Sequence, residues 1–119
     1  MIERDATVHS VDELHEFVHQ ELCATENLLA EQFHTRSQPL FVKSQLCAIQ
    51  YSLLGLRSVR LGAIWAADQN VIYFYNARGE RVIKVRLTKR IPMEQFEAAF
   101  KAVSPGQSAE NSGPVAQSA

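Results

Sequence analysis

The sequence predicts an α+β fold: a long N-terminal helix, an antiparallel β-meander of three to four strands, a short C-terminal helix and a disordered tail. Three observations predict it. Apolar residues recur at helical spacing from Val11 to Phe33, alternate at strand spacing between Leu46 and Leu87, and return to helical spacing after Pro92. Strands grouped between helices, rather than alternating with them, make an α+β domain whose helices cover one sheet face. At 119 residues the chain is one domain, over 1–104, with the tail over 105–119.

The first helix opens on a capping box, Ser10-Val11-Asp12-Glu13. The serine hydroxyl can accept an orphan backbone N–H, and Glu13 can reach back to the N–H of Ser10. Val11, Leu14, Val18, Leu22, Leu29 and Phe33 then fall on one side of a helix, with Phe17 and Leu28 beside them. Ser37-Gln38-Pro39 ends it, because the residue before a proline is pushed out of the helical region. Residues 40–54 fit either a helix or a strand by period, and a strand over Leu46 to Leu54 is preferred. Gly55 turns the chain, and Val59, Leu61, Ala63 and Trp65 share the next strand's face, opposite Arg60. Ala67 to Asn70 is a turn, and the β-branched and aromatic run Val71 to Tyr75 is a strand. Asn76 to Gly79 turns again, and Arg81 to Leu87 alternates Ile83, Val85 and Leu87 against Val82, Lys84 and Arg86. Pro92 sits at a first helical position, and Met93, Phe96, Phe100 and Val103 make a short amphipathic helix, stopped by Pro105-Gly106. The small, polar remainder has too little apolar surface to offset the entropy of ordering.

Composition excludes several classes. Apolar residues make up 46% of the chain, as in globular domains, yet no run reaches the ~18 apolar residues of a membrane span. The N-terminus has neither the basic nor the apolar stretch of a signal peptide. Cys23 and Cys47 form no C-x-x-C pair, so a cytoplasmic location without a disulfide framework is expected. No phosphate loop, dinucleotide fingerprint or nucleophile elbow occurs. No cofactor is expected.

Charge is more informative. The net value of −1 conceals a split: residues 1–36 hold eight Asp/Glu and two Lys/Arg (−6), residues 37–90 two and nine (+7), and the rest three and one (−2). Arg57, Arg60, Arg78, Arg81, Lys84, Arg86 and Lys89 lie in or beside the strands, with Arg90 next to them. Lys84 and Arg86 share a face by parity, Arg60 joins them if the registers permit, and Tyr73 and Tyr75 offer an aromatic pair. Such a face attracts phosphate and can stack unpaired bases. Lys and Arg on a sheet also guard it against aggregation, and a sequence pI of 6.4 is low for a dedicated nucleic-acid binder.

One motif points to metal. His15-Glu16-Phe17-Val18-His19 fits H-E-x-x-H, in which two histidines one helical turn apart hold zinc and the glutamate polarises its water. Over these five residues the chain resembles the zincin peptidases, which implies His15 and His19 as metal ligands and Glu16 as general base. The rest departs from that family: Leu22 and Thr25 stand where the metzincin extension has glycine and histidine, and Glu26, Glu31 and His34 form no second ligand motif. Both histidines also border the apolar stripe, where amphipathic side chains are common.

The leading expectation is a non-enzymatic binding or regulatory module, a homodimer, that works through protein–protein contacts with a protein or other anionic partner. Leu22, Leu29 and Phe33 are its interface candidates, because the predicted helix has more apolar stripe than a small sheet needs. Single-stranded nucleic-acid binding on the basic sheet face is the alternative, and a zinc hydrolase is third. No membrane contact is expected.

Overall fold

The computed structural model describes residues 1–100. Both helices lie on one face of a six-stranded mixed sheet, so the class is α+β. The strands are β1 (Ile2–Ala6), β2 (Thr35–Val42), β3 (Gln45–Leu54), β4 (Arg60–Ala66), β5 (Val71–Tyr75) and β6 (Arg81–Leu87); the helices are α1 (Val11–Thr25) and α2 (Met93–Phe100). The sheet order is β1-β6-β5-β4-β3-β2: an antiparallel meander from β2 to β6, with β1 added in parallel to β6. The predicted meander of three to four strands is therefore corrected to six strands of mixed direction. The proposed tail and Val103 lie outside the described residues.

The predicted helix over 11–33 is too long, and its actual end has a local cause. The chain after Thr25 forms a Schellman motif: Leu28 N–H donates to the Cys23 carbonyl (2.8 Å) and Asn27 N–H to the Ala24 carbonyl (3.4 Å). Asn27 supplies the left-handed residue this cap needs, at φ 55. Asparagine is the second choice after glycine there, so Asn27 is only a weak stop signal. The start is as expected in part. Ser10 Oγ accepts from Glu13 N–H (3.0 Å), but the Glu13 carboxylate accepts from His9 N–H (2.9 Å) rather than from Ser10.

A three-residue 3₁₀ turn, Ala30–Gln32, leads into β2, which the sequence reading missed. Pro39 is tolerated there because β2 is an edge strand paired only with β3. The β2–β3 hairpin turns on Lys43 and Ser44, both left-handed (φ 52 and 66), without the Asn-Gly or Asp-Gly signature of such turns.

The core lies between the helices and one sheet face. Leu14, Val18 and Leu22 of α1 are at most 1% exposed and pack into a cluster with Ile49, Tyr51, Leu53, Leu61, Trp65, Phe74 and Val85. Trp65 stacks on Phe96 of α2 with ring centroids 4.6 Å apart. Its Nε1–H donates to Asn70 Oδ1 (3.0 Å), and Asn70 Nδ2 donates to the Lys89 carbonyl (2.9 Å), so the β4–β5 turn is bolted to the end of β6.

The packing sets the three interface candidates in different places. Leu22 is consumed by the protomer's own core, Phe33 is partly buried against it, and Leu29, 59% exposed, lies beyond the helix. The stripe that looked excessive for a small sheet is matched by a six-stranded one. No helix among the described residues is long and apolar enough to cross a membrane.

Candidate binding face

The helices cover the sheet face that carries Tyr51, Ala63, Trp65 and Phe74. Side chains of the other parity point away from them. No described element covers that second face. The registers align its side chains in rows, because residues directly opposite on neighbouring strands point to the same side. One row runs Lys84, Tyr73, Ile64, Gln50, Gln38, with Glu3 at its β1 end. The next runs Arg81, Tyr75, Gly62, Ser52, Arg36. Arg60 lies one residue pair further along, opposite Leu54. Arg86 lies at the other end of the face, 3.8 Å from Asp5.

The tyrosines are held rather than loose. The Arg81 guanidinium sits 4.0 Å over the Tyr73 ring and donates to Tyr75 Oη (3.1 Å). Tyr73 Oη donates to Gln69 Oε1 (2.8 Å). At the β2–β3 side, Arg36, Gln38, Gln50 and Ser52 line a polar depression of about 140 Å³.

Of the predicted basic set, Arg60, Arg81, Lys84 and Arg86 fall on this face, with Arg86 at the far end from Arg60. Arg57 and Arg78 sit in the β3–β4 and β5–β6 connections, at the same end of the sheet. Lys89 follows β6 and is exposed. Arg90 is engaged structurally, donating to the carbonyls of Ala67 and Asp68 (both 2.8 Å). Arg36 was missed, because it falls in the acidic third of the sequence and only the β2–β3 register reveals its face.

The acidic residues of α1 lie in the other layer. Asp12, Glu13 and Glu16 are exposed on the helix, and Glu21 pairs with Arg4 of β1 (2.7 Å). The split along the sequence thus becomes a split across the molecule's thickness, acidic on the helix side and basic on the open sheet. Glu3 and Asp5 of β1 are the carboxylates on the strands of the basic face.

His15, Glu16 and His19 of the HEFVH stretch border a cleft of about 490 Å³ between α1 and the 30–35 segment, lined also by Gln20, Glu31 and His34. His19 is buried, and both its ring nitrogens are used. Nε2 must donate to the Ala30 carbonyl (2.9 Å), which fixes the tautomer, so Nδ1 accepts from the Thr35 hydroxyl (2.8 Å). His19 therefore ties α1 to the start of β2, and its lone pair is already taken. His15 turns instead to the edge of the Tyr51 ring (5.7 Å). No group of three His, Cys, Asp or Glu side chains placed to hold a metal occurs among the described residues. Cys23 lies 3.7 Å from His19 Nε2, but burial pushes its thiol up, opposite to what a nucleophile needs. Burial also raises the Tyr51 hydroxyl.

Desolvation by burial lowers the His15 pKa from its ordinary 6.5. The unfolded chain then binds the proton more readily than the folded one. His15 thus costs no stability at neutral pH, and its cost grows as pH falls through 6.5 until the lowered folded value is reached. We expect the urea midpoint to drop between about pH 7.5 and about pH 5, and His15→Leu to reduce that drop. Equal drops in both proteins would remove His15 from the account.

No family model matches the chain, and neither a curated protein nor a solved structure was found to match it.

Proposed function

We propose that the protein is a non-enzymatic binding module that meets an anionic partner on the open face of its sheet. One observation carries this reading: Arg36, Arg60, Arg81, Lys84 and Arg86 share that face, while the acidic residues of α1 lie in the opposite layer. A field of this kind attracts a polyanion to one side and repels it from the other, so it orients the partner even though the net charge is −1. Close to the face, the net charge matters less than the local one, since the Debye length is about 8 Å at physiological salt.

The same charges argue against self-association through this face. A two-fold contact would set each cation against its copies. The helix stripe offers no second route, because Leu14, Val18 and Leu22 are inside the protomer. The reading therefore favours a different molecule over a second copy.

Immobilised heparin tests it. The wild type is expected to be retained at about 50 mM salt and released as salt rises. The triple change Arg60→Glu, Lys84→Glu, Arg86→Glu is expected to flow through at that salt with its circular dichroism unchanged and its melting temperature lowered, because all three side chains sit outside the core but Lys84 and Arg86 lie opposite Glu3 and Asp5 of β1. A wild-type protein that also flows through defeats the proposal.

A further inference from the structure

Resting on the reading above, we infer that the anionic partner is a single-stranded nucleic acid that crosses the strands along the row Arg81, Tyr75, Gly62, Ser52, Arg36. The row runs through four strand pairs, Arg36↔Ser52, Ser52↔Gly62, Gly62↔Tyr75 and Tyr75↔Arg81; the last lies beyond a register shift between Phe74 and Tyr75, and Arg81 is placed on this face by its contacts with the Tyr73 and Tyr75 rings. Strands about 4.8 Å apart make it about 19 Å long. It has a cation at each end, an aromatic ring near one end and the smallest side chains in the middle. It is a shallow trough rather than a knob.

Gly62 is the telling residue. It sits inside β4, where glycine weakens a strand and gives no side chain to pack. Its backbone is not left-handed, and a Cβ placed there meets within 4 Å only the Tyr51 carbonyl oxygen, at 3.4 Å, the near limit of ordinary contact. Neither conformation nor packing requires a glycine. What glycine does provide is clear space beside Tyr75 on the open face, as close approach of a ligand demands.

The neighbours suit a nucleic acid more than an acidic peptide. Each tyrosine of β5 has a cation as its cross-strand partner on β6: Lys84 opposite Tyr73 and Arg81 opposite Tyr75. Ring and cation alternate as base and phosphate do in a strand. Carboxylates need the cations but have no use for the ring. At the far end, Arg36, Gln38, Gln50 and Ser52 bring donors and acceptors around the small depression, where base edges can be met. A flat, shallow surface exposes rings to unpaired bases only, since bases in a duplex are already stacked. Arg81 lies closer to the Tyr73 ring (4.0 Å) than to the Tyr75 ring (5.7 Å), so Tyr75 is the more open stacking ring and Arg81 reaches the phosphate beside it.

The test measures fluorescence anisotropy of three labelled probes against the full chain: a mixed-sequence RNA of about 12 nucleotides, its duplex, and a poly-glutamate peptide of matched charge. The single strand is expected to bind at least about 10-fold tighter than either of the others. With Arg36, Arg60, Arg81 and Lys84 on phosphates, the log–log salt slope is about −2.8, or about a 50-fold loss between 50 and 200 mM salt. Tyr75→Leu is expected to weaken binding about 10-fold and leave the slope unchanged. Gly62→Val is expected to weaken it by a similar factor while the unfolding midpoint stays or rises, a combination that a structural role for Gly62 does not produce. If the peptide binds as well as the RNA, and Tyr75→Leu and Gly62→Val leave RNA binding unmoved, the nucleic-acid assignment is overturned and the anionic face survives. If no probe binds at about 50 mM salt, both fall together.

Discussion

Trp65→Ala is expected to destabilise the fold by about 3–5 kcal/mol, a large part of the roughly 5–15 kcal/mol that holds a domain of this size. Three losses coincide. Trp65 is 1% exposed, so the change empties an indole-sized volume at the centre of the sheet's covered face. Phe96 loses the ring on which it stacks at 4.6 Å, one of the contacts by which α2 docks, beside its packing on α1. Asn70 loses the indole N–H on its Oδ1 and stays 6% exposed in a left-handed turn. A buried acceptor left unpaired costs more than a hydrogen bond that was never made. Urea unfolding followed by far-ultraviolet circular dichroism measures the shift. Trp65→Phe refills part of the cavity but cannot donate to Asn70, so it should fall between wild type and Trp65→Ala. If Trp65→Phe proves as stable as wild type, the Asn70 bond contributes little.

That arrangement also marks how far the sequence could be read. The alternation Val59, Leu61, Ala63, Trp65 named the buried face of β4 correctly, because period two survives any register. Parity placed Lys84 with Arg86 and kept Tyr73 and Tyr75 together for the same reason. What was not legible needed information beyond a short window. β1 reads IERDA, a charged edge whose strand character comes from parallel pairing with β6, some eighty residues away. β2 was hidden by Pro39, by a hairpin turn on Lys43 and Ser44, and by a helical period that runs on past Thr25 in the sequence but not in space. Leu28 and Phe33 fit that period because they return to the same core by another path. Once β2 is missed, Arg36 cannot be placed and the row through Gly62 has no far end. The cations of the face were therefore legible one by one; the trough they frame was not. Nor did H-E-x-x-H announce the role His19 has here, since a pattern of residue types does not say which ring nitrogen is already bonded.

The sharpest contrast concerns two leucines that looked alike on a helical wheel. Leu22→Asp is expected to cost at least about 4 kcal/mol and to abolish the cooperative unfolding transition, whereas Leu29→Asp should lie within about 0.5 kcal/mol of wild type. Leu22 is 1% exposed between α1 and the sheet, so aspartate there both empties a cavity and carries a carboxylate into an apolar site with no partner. Leu29 is 59% exposed in the segment between the helix cap and the 3₁₀ turn, so its aspartate stays in water. The comparison separates two accounts of the apolar stripe. If the stripe held two copies together, Leu22→Asp would release a folded monomer of unchanged melting temperature. If it is the protomer's own core, the protein unfolds and no folded monomer appears. Size-exclusion chromatography and thermal melts on the two variants distinguish these outcomes, and Val18 and Leu14, both fully buried one and two turns earlier on α1, make unfolding the expected one.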